Sequence, residues 1–410
     1  MKIVGLITEY NPFHNGHLYH LEQAKAVSGA DAAIVVMSGN YVQRGTPAIM
    51  PKHLRVGAAL ASGAALVIEL PVCYAAGSAE YFASGAVALL DALGCVDSIC
   101  FGSECGDYEL LSEIARIIAD EPPLYKDALK TFLKEGQPFP AARQKALEGY
   151  FKDEEKTAVI KDPNNILGLE YIKALHQQNS SIKGSTIRRV SSGYHDTDLI
   201  ESFSSASAIR TALSGDGFDF SQLINQIPPS SGQILEDHYG IRYPVYSNDF
   251  SVILKYKLLG RSPADLTRYA DVSEELANRI VKRLNDYISF EQFCMILKTR
   301  ELTHSRISRA LLHIILDIYQ EDLNLFTQNG YAFYARVLGF RSEDDKVLKL
   351  LKKNSQLPMI TRVSTGDKLT GPGQLMFQLD KRAADIYETI ITDKFKTPFV
   401  NEYTQPIVTI

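Results

Sequence analysis

The first seventeen residues constrain this chain most. An apolar run over 2–8 leads into a loop, and His14-Asn-Gly-His17 then opens a helical pattern. That order reads as strand, loop, helix. A helix start presents unpaired N–H groups and a partial positive charge, so backbone and side chains together build an anion site. Gly16 lets phosphate oxygens approach the backbone. His14 and His17, three apart, share one side of the first turn and offer two more donors. Thr8, at the strand's end, adds a hydroxyl.

Further apolar runs at 32–38, 65–70, 96–101 and 185–190 alternate with helical patterns at 18–27 and 51–62 and an Ala-rich stretch at 75–93. Alternating β and α units predict an α/β fold with a Rossmann-like, doubly wound parallel sheet. Ligands on such sheets sit at the strands' carboxyl ends, where the 9–15 loop and Phe101-Gly-Ser-Glu104 fall. Residues 108–150 read as an inserted helical segment, a lid or a brace. The Gly-, Pro- and Ser-rich stretch 214–250 reads as a passage between domains. From 251 to 319 the period is helical. Strand-like runs at 334–340 and 358–363, each followed by a helical pattern, close the chain. The expected division is a catalytic domain over 1–215 and a mainly helical domain over 216–410, with a small α/β tail from about 331.

A bare His-x-Gly-His is a weak signal, since His17 in such a place also serves as a cap or a core side chain. A second element answers it. Ser202-Phe-Ser-Ser-Ala-Ser-Ala-Ile-Arg210 is a hydroxyl-rich turn entering a helix, where Ser205 and Ser207 suit the cap and Arg210 lies near the first turn. Such a start would hold the β- and γ-phosphates of a nucleoside triphosphate; simple capping beside a solvated Arg is the competing account. Together the two elements suggest attack on an α-phosphate with pyrophosphate leaving. A carboxylate nucleophile is already anionic and needs no base, so the protein's task is alignment and charge stabilisation.

Longer motifs narrow this. Glu9-Tyr-Asn-Pro-Phe-His-Asn-Gly-His17, Met37-Ser-Gly-Asn-Tyr-Val-Gln-Arg-Gly-Thr-Pro-Ala48, Phe101-Gly-Ser-Glu104, Asn164-Asn-Ile-Leu-Gly-Leu-Glu-Tyr171 and Thr303-His-Ser-Arg-Ile-Ser-Arg-Ala-Leu-Leu-His313 together resemble the bacterial tRNA(Met) cytidine acetate ligase family. That family lies in the nucleotidyltransferase superfamily, and the resemblance spans nearly the whole chain. It implies a ligase that activates acetate with ATP to acetyl-adenylate and then acetylates N4 of the wobble cytidine of elongator tRNA(Met). It also implies ATP contacts from Ile7, Thr8, Glu9, Tyr10, Asn11, Pro12, Phe13, His14, Asn15, Gly16, His17 and His20. Gly102, Asn165, one of Arg188 and Arg189, and Ser205, Ser207 and Arg210 complete the expected set. His14, His17 and Thr8 are the expected catalytic groups. Gly102 ends a strand where a nucleotide must lie close to backbone, and an Asn amide suits adenine or a ribose hydroxyl. Strand alternation lets only one of Arg188 and Arg189 face the site.

Other residues are less decided. Arg44 suits a phosphate or carboxylate, or a surface turn. Lys52, His53 and Arg55 are as readily a solvated helix face. For tRNA the candidate is 279–309, with Lys282, Arg283, Arg300, Arg306 and Arg309 foremost; Arg306 and Arg309 are three apart on one helix, and His304 and Tyr319 could stack on bases. A solvated charged face has the same composition.

The net charge is −5, with the acidic excess in the first two hundred residues, so a polyanion would meet a local patch rather than a basic domain. Five cysteines and an N-terminal strand without a signal-peptide pattern lead us to expect a reducing cytoplasm, and no apolar run approaches membrane-spanning length. Cys100 and Cys105 lack a second pair at zinc spacing. No protein metal site is expected; Mg²⁺ would be held mainly through ATP phosphates. Two other readings remain: a small-molecule nucleotidyltransferase or carboxylate-adenylating synthetase, and a non-catalytic RNA-binding protein on the same scaffold.

Overall fold

A computed structural model describes residues 1–189, 204–215 and 218–410. Val190, the end of one expected strand, and Ser202 and Phe203 of the hydroxyl-rich turn lie outside the described residues.

The alternating pattern is realised as β1 (Ile3–Thr8), α1 (Asn15–Ser28), β2 (Ala32–Ser38), a hairpin of β3 (Tyr41–Val42) and β4 (Thr46–Pro47), α2 (Lys52–Ala61), β5 (Leu66–Leu70), α3 (Val72–Ala75), α4 (Ala79–Ala92) and β6 (Ser98–Ser103). Helices α5 (Tyr108–Asp120), α6 (Pro123–Lys134), α7 (Phe139–Phe151) and α8 (Glu154–Ala158) form the insertion, followed by α9 (Pro163–Gln177), β7 (Lys183–Arg188) and α10 (Ala206–Leu213). β2 and β5 are buried along their whole length, as near-continuous apolar strands of a parallel sheet must be. The sheet order is β10-β8-β5-β2-β1-β6-β7, with β1 paired parallel to both β2 and β6. The chain moves outward from β1 through β2 to β5, then returns to place β6 on β1's other side. The carboxyl ends of β1 and β6 therefore flank a topological switch point, where such sheets bind ligands.

The helical region comprises α11 (Pro229–His238), α12 (Ser251–Leu258), α13 (Pro263–Leu266), α14 (Glu274–Arg283), α15 (Phe290–Leu297), α16 (His304–Leu316) and α17 (Gln320–Gln328). The tail adds β8 (Ala335–Phe340), α18 (Asp345–Asn354), β9 (Met359–Ile360), α19 (Val363–Gly366), α20 (Gly371–Phe395) and β10 (Val408–Thr409). The tail is not an appendage of the helical region. β8 pairs antiparallel with β5, extending the sheet beyond it, and β10 pairs with β8. One apolar core runs from Ile3 through Phe293 to Ile391, so the two parts of the chain share it.

A buried charge cluster fastens the tail. Lys52 Nζ lies 2.8 Å from Glu69 Oε1 and 3.1 Å from Glu402 Oε2, and Arg336 pairs with the same two carboxylates. Lys52 is 1% exposed and Arg55 fully buried, so of the two readings left open for this stretch the solvated face is ruled out. The charges are tolerated because each meets its opposite. No helix among the described residues is long and apolar enough to cross a membrane.

Candidate active site

At the switch point lies a cavity of about 260 Å³. Its walls include Ile7, Thr8, Glu9, Asn11, His14, Gly16, His17 and His20 from the first βα unit, Gly102 from β6, Asn164 from α9, Arg189 after β7, and Ser205, Ser207 and Arg210 from α10. Residues far apart in sequence thus converge on one space.

His14 caps α1, and its Nδ1 accepts the Gly16 N–H at 3.0 Å. That bond needs an unprotonated Nδ1, so in the neutral ring the proton sits on Nε2. Gly16 is required by the close approach: a Cβ there would lie 2.9 Å from His14 Cε1. The helix start offers fewer bare N–H groups than expected. Asn15 N–H donates to the Gln226 carbonyl at 2.9 Å, and Gly16 N–H is spent on His14. The imidazoles and the helix dipole carry more of the anion-binding task.

The His17 ring lies beside His14, centroids 3.8 Å apart, with Tyr10 edge-on at 4.9 Å. Burial, helped by Arg189 and Arg210, pushes the His14 imidazole down to about 3. Burial, then His14, Arg189 and His20, holds His17 well below the ordinary histidine range. Both are therefore neutral hydrogen-bonding groups at pH 7. His20, among the expected ATP contacts, lines the cavity, and its Nε2 donates to the Cys100 carbonyl at 3.2 Å. Burial takes it down to about 4, against the pull of that carbonyl.

Arg210 ties the second element to the first. Its Nη1 donates to the Asn11 carbonyl at 2.8 Å and its Nη2 to Ser207 Oγ at 3.0 Å. Ser205 caps α10 by accepting the Ala208 N–H, whereas Ser207 positions Arg210 instead of capping. Of the consecutive arginines, Arg189 faces the cavity, and Gly102 makes room for its stem. Arg188 lies against Gly106.

Asn165 does not reach the cavity. Fully buried, it accepts the Glu104 and Cys105 N–H groups through Oδ1 and donates to the Val159 carbonyl and Asp162 through Nδ2. Its amide is consumed in shaping the Glu104 loop, and Asn164 lines the cavity instead. Arg44 also lines it. Sequence reasoning missed Arg55, whose guanidinium donates to the carbonyls of Glu9, Ser38, Gly39 and Met50 and so anchors the loop before His14. An Arg in an amphipathic helix carries no local mark of that role.

The HIGH nucleotidyl transferase family matches residues 1–401. The tRNA(Met) cytidine acetate ligase of Acetivibrio thermocellus is 41% identical over 414 residues, covering 100% of both chains, and that of Thermoanaerobacter sp. is 43% identical over 389 residues, covering 94% of this chain and 95% of its own. The chain belongs to the tRNA(Met) cytidine acetate ligase family. Among solved structures of this family, apo TmcAL of Thermotoga maritima superposes with a TM-score of 0.93 at 32% identity over 100% of both chains. The same protein bound with alpha-thio ATP gives 0.89 at 34% identity over 95% of each.

The basic stretch expected to meet RNA divides in this family member. Arg309 Nε is bound to Asp271 at 2.8 Å and Arg283 to Asp286 at 3.1 Å. Lys282 and Arg300 are exposed and Arg306 is half-buried. Tyr319 is stacked on Tyr269, centroids 4.8 Å apart, with Arg268 over its ring, and His304 faces Glu291 at 3.2 Å. Among the described residues no group of three or more His, Cys, Asp or Glu is placed to hold a metal ion.

Proposed function

We propose that this protein is an ATP-dependent ligase that activates acetate to acetyl-adenylate, releasing pyrophosphate, and then acetylates N4 of the wobble cytidine of elongator tRNA(Met). The observation that carries the reading is the meeting of the neutral His14–His17 pair with Arg189 and Arg210 around one cavity, in a chain whose relative binds an ATP analogue over the same fold.

In the first step an acetate oxygen attacks the α-phosphorus, the P–O bond to pyrophosphate breaks, and charge builds on the non-bridging oxygens. His14 Nε2–H and His17 stand as donors to that charge, without a net proton transfer. Arg210, held by Asn11 and Ser207, suits the departing phosphates. Arg189 and Asn164 suit the nucleoside side, next to the Gly102 backbone. Glu9 is the one carboxylate among the described cavity residues, so Mg²⁺ would be held chiefly by the phosphates. The RNA would lie over the face bearing Lys282, Arg300 and Arg306. A substrate set of ATP, acetate and tRNA fits a cytoplasmic enzyme.

The test is ATP–pyrophosphate exchange with and without acetate, followed by acetyl transfer to tRNA. Acetate-dependent exchange and acetylation of tRNA(Met) are expected. Exchange indifferent to acetate would overturn the acid assigned, and exchange without transfer to any tRNA would leave a small-molecule adenylating enzyme.

A further inference from the structure

Glu9 has the wrong charge for the substrates that the rest of the cavity suits. Three arginines, Arg44, Arg189 and Arg210, line that space, and Glu9 is the single carboxylate among its described residues. A triphosphate and a carboxylic acid would both be repelled by it, so its presence calls for a ligand group that donates. One oxygen is already committed: Oε1 accepts the Gln43 N–H at 2.9 Å. Oε2 accepts no bond from the described residues. Arg55 lies behind Glu9, but its N–H groups go to main-chain carbonyls, so it adds positive charge without occupying the carboxylate's lone pairs.

The bond that holds Glu9 narrows the partner. Gly102, Asn164 and Arg189 lie on the β6–β7 side of β1, whereas Glu9 is tied through Gln43 to the β2 side. The loop that holds it is braced by α16: Ser308 Oγ donates to the Gly45 carbonyl at 2.8 Å, and a Cβ on Gly45 would lie 2.3 Å from Arg309 N. α16 also carries Arg306. The loop that binds Glu9 is thus packed on the helix that bears one of the candidate RNA contacts.

We propose that Glu9 receives the exocyclic amino group of the acceptor base and takes its proton during acyl transfer. This rests on the ligase reading above. The amino nitrogen attacks the carbonyl carbon of the acyl-adenylate, and the N–C bond forms. The C–O bond to phosphate then breaks, and AMP leaves with that electron pair. The nitrogen, cationic in the adduct, gives one proton to the Glu9 carboxylate, which passes it to water. A carboxylate accepting from cytosine N4 is a standard base contact. His14 cannot take the proton, because its unprotonated Nδ1 already accepts the Gly16 N–H.

The experiment compares wild type, Glu9→Gln and Glu9→Asp in two assays: acetate-dependent ATP–pyrophosphate exchange, and single-turnover transfer from synthetic acetyl-adenylate to tRNA(Met). Glutamine keeps an oxygen for the Gln43 N–H but cannot accept a proton. Glu9→Gln is expected to lower transfer by about 10²–10⁴ and the transfer-to-exchange ratio at least tenfold, the usual range for losing a general base. Glu9→Asp should retain more transfer than Glu9→Gln. Parallel loss of both reactions, or transfer at the wild-type rate in Glu9→Gln, overturns the role. Should Glu9→Gln fail to fold, Glu9→Ala also lacks the base, and an unchanged transfer-to-exchange ratio in it overturns the role equally. A wild-type protein that exchanges but acetylates no tRNA refutes the ligase reading itself, a result separate from any behaviour of the variants.

Discussion

His14 Nδ1 accepts the Gly16 N–H at 3.0 Å, and this one bond decides which ring nitrogen can serve a phosphate. With Nδ1 an acceptor, Nε2 must carry the proton of the neutral ring. A methyl group at Gly16 would sit 2.9 Å from Cε1 and 3.1 Å from Nδ1, displacing the ring. Gly16→Ala should therefore cost about 10²–10³ in adenylation rate, the usual loss for one misplaced donor. Acetate-dependent exchange, beside an unchanged circular dichroism spectrum, measures it. Exchange within threefold of wild type would mean that His14 orientation does not matter to the step.

Burial lowers His14 to about 3 and His20 to about 4 from an ordinary 6.5. The unfolded chain therefore takes up protons that the folded one refuses. The sign follows: their contribution is fully present above about pH 6.5 and is lost as pH falls toward the folded values. At pH 5 each histidine should remove about 2 kcal/mol of stability relative to pH 8. His20→Gln, whose amide can still donate to the Cys100 carbonyl, should remove one histidine's share of that slope. Denaturant unfolding at the two pH values reads it; an identical slope in variant and wild type contradicts the assignment.

Arg189 lines the cavity, while Arg188 rests on Gly106. A charge-assisted contact to a nucleotide contributes about 1.5–3 kcal/mol. Arg189→Gln should thus weaken ATP binding by about 10- to 100-fold, with Arg188→Gln changing it by much less. Calorimetric titration of ATP into both variants separates them. Equal losses would show that neither arginine is specific to the site.

The elements around the opening motif were legible because their causes are local. A short apolar run, a His-x-Gly-His cap and a Ser at the α10 cap declare themselves within a few residues. Arg188 and Arg189 stayed open because alternation fixes that one faces in, not which. Asn164 and Asn165 are neighbours on a first helical turn, and only the Glu104 loop settles their roles. Lys52 stayed undecided because its partners, Glu69 and Glu402, reach it through tertiary contacts. The tail's place in the sheet stayed hidden for the same reason: β8 finds β5 by long-range antiparallel pairing, which no local pattern announces.

The basic residues of the helical region differ in what surrounds them, and so should their variants. Arg309 and Asp271 have side chains 16% and 23% exposed, joined at 2.8 Å. Burial opposes the Asp271 charge, but His313 and then Arg309 hold its carboxyl below the usual range. Removing Arg309 leaves that carboxylate short of a partner, so Arg309→Ala should cost about 1–3 kcal/mol of stability. Lys282 and Arg300 are exposed. The double variant Lys282→Ala/Arg300→Ala should melt like wild type yet bind tRNA more weakly. Its plot of log affinity against log salt should flatten by about 2, one unit for each lost phosphate contact. Filter binding across a salt series, with a melting curve for each protein, tests both halves. A double variant with wild-type salt dependence would move the RNA face elsewhere, and an Arg309→Ala that melts normally while losing tRNA would restore Arg309 to it.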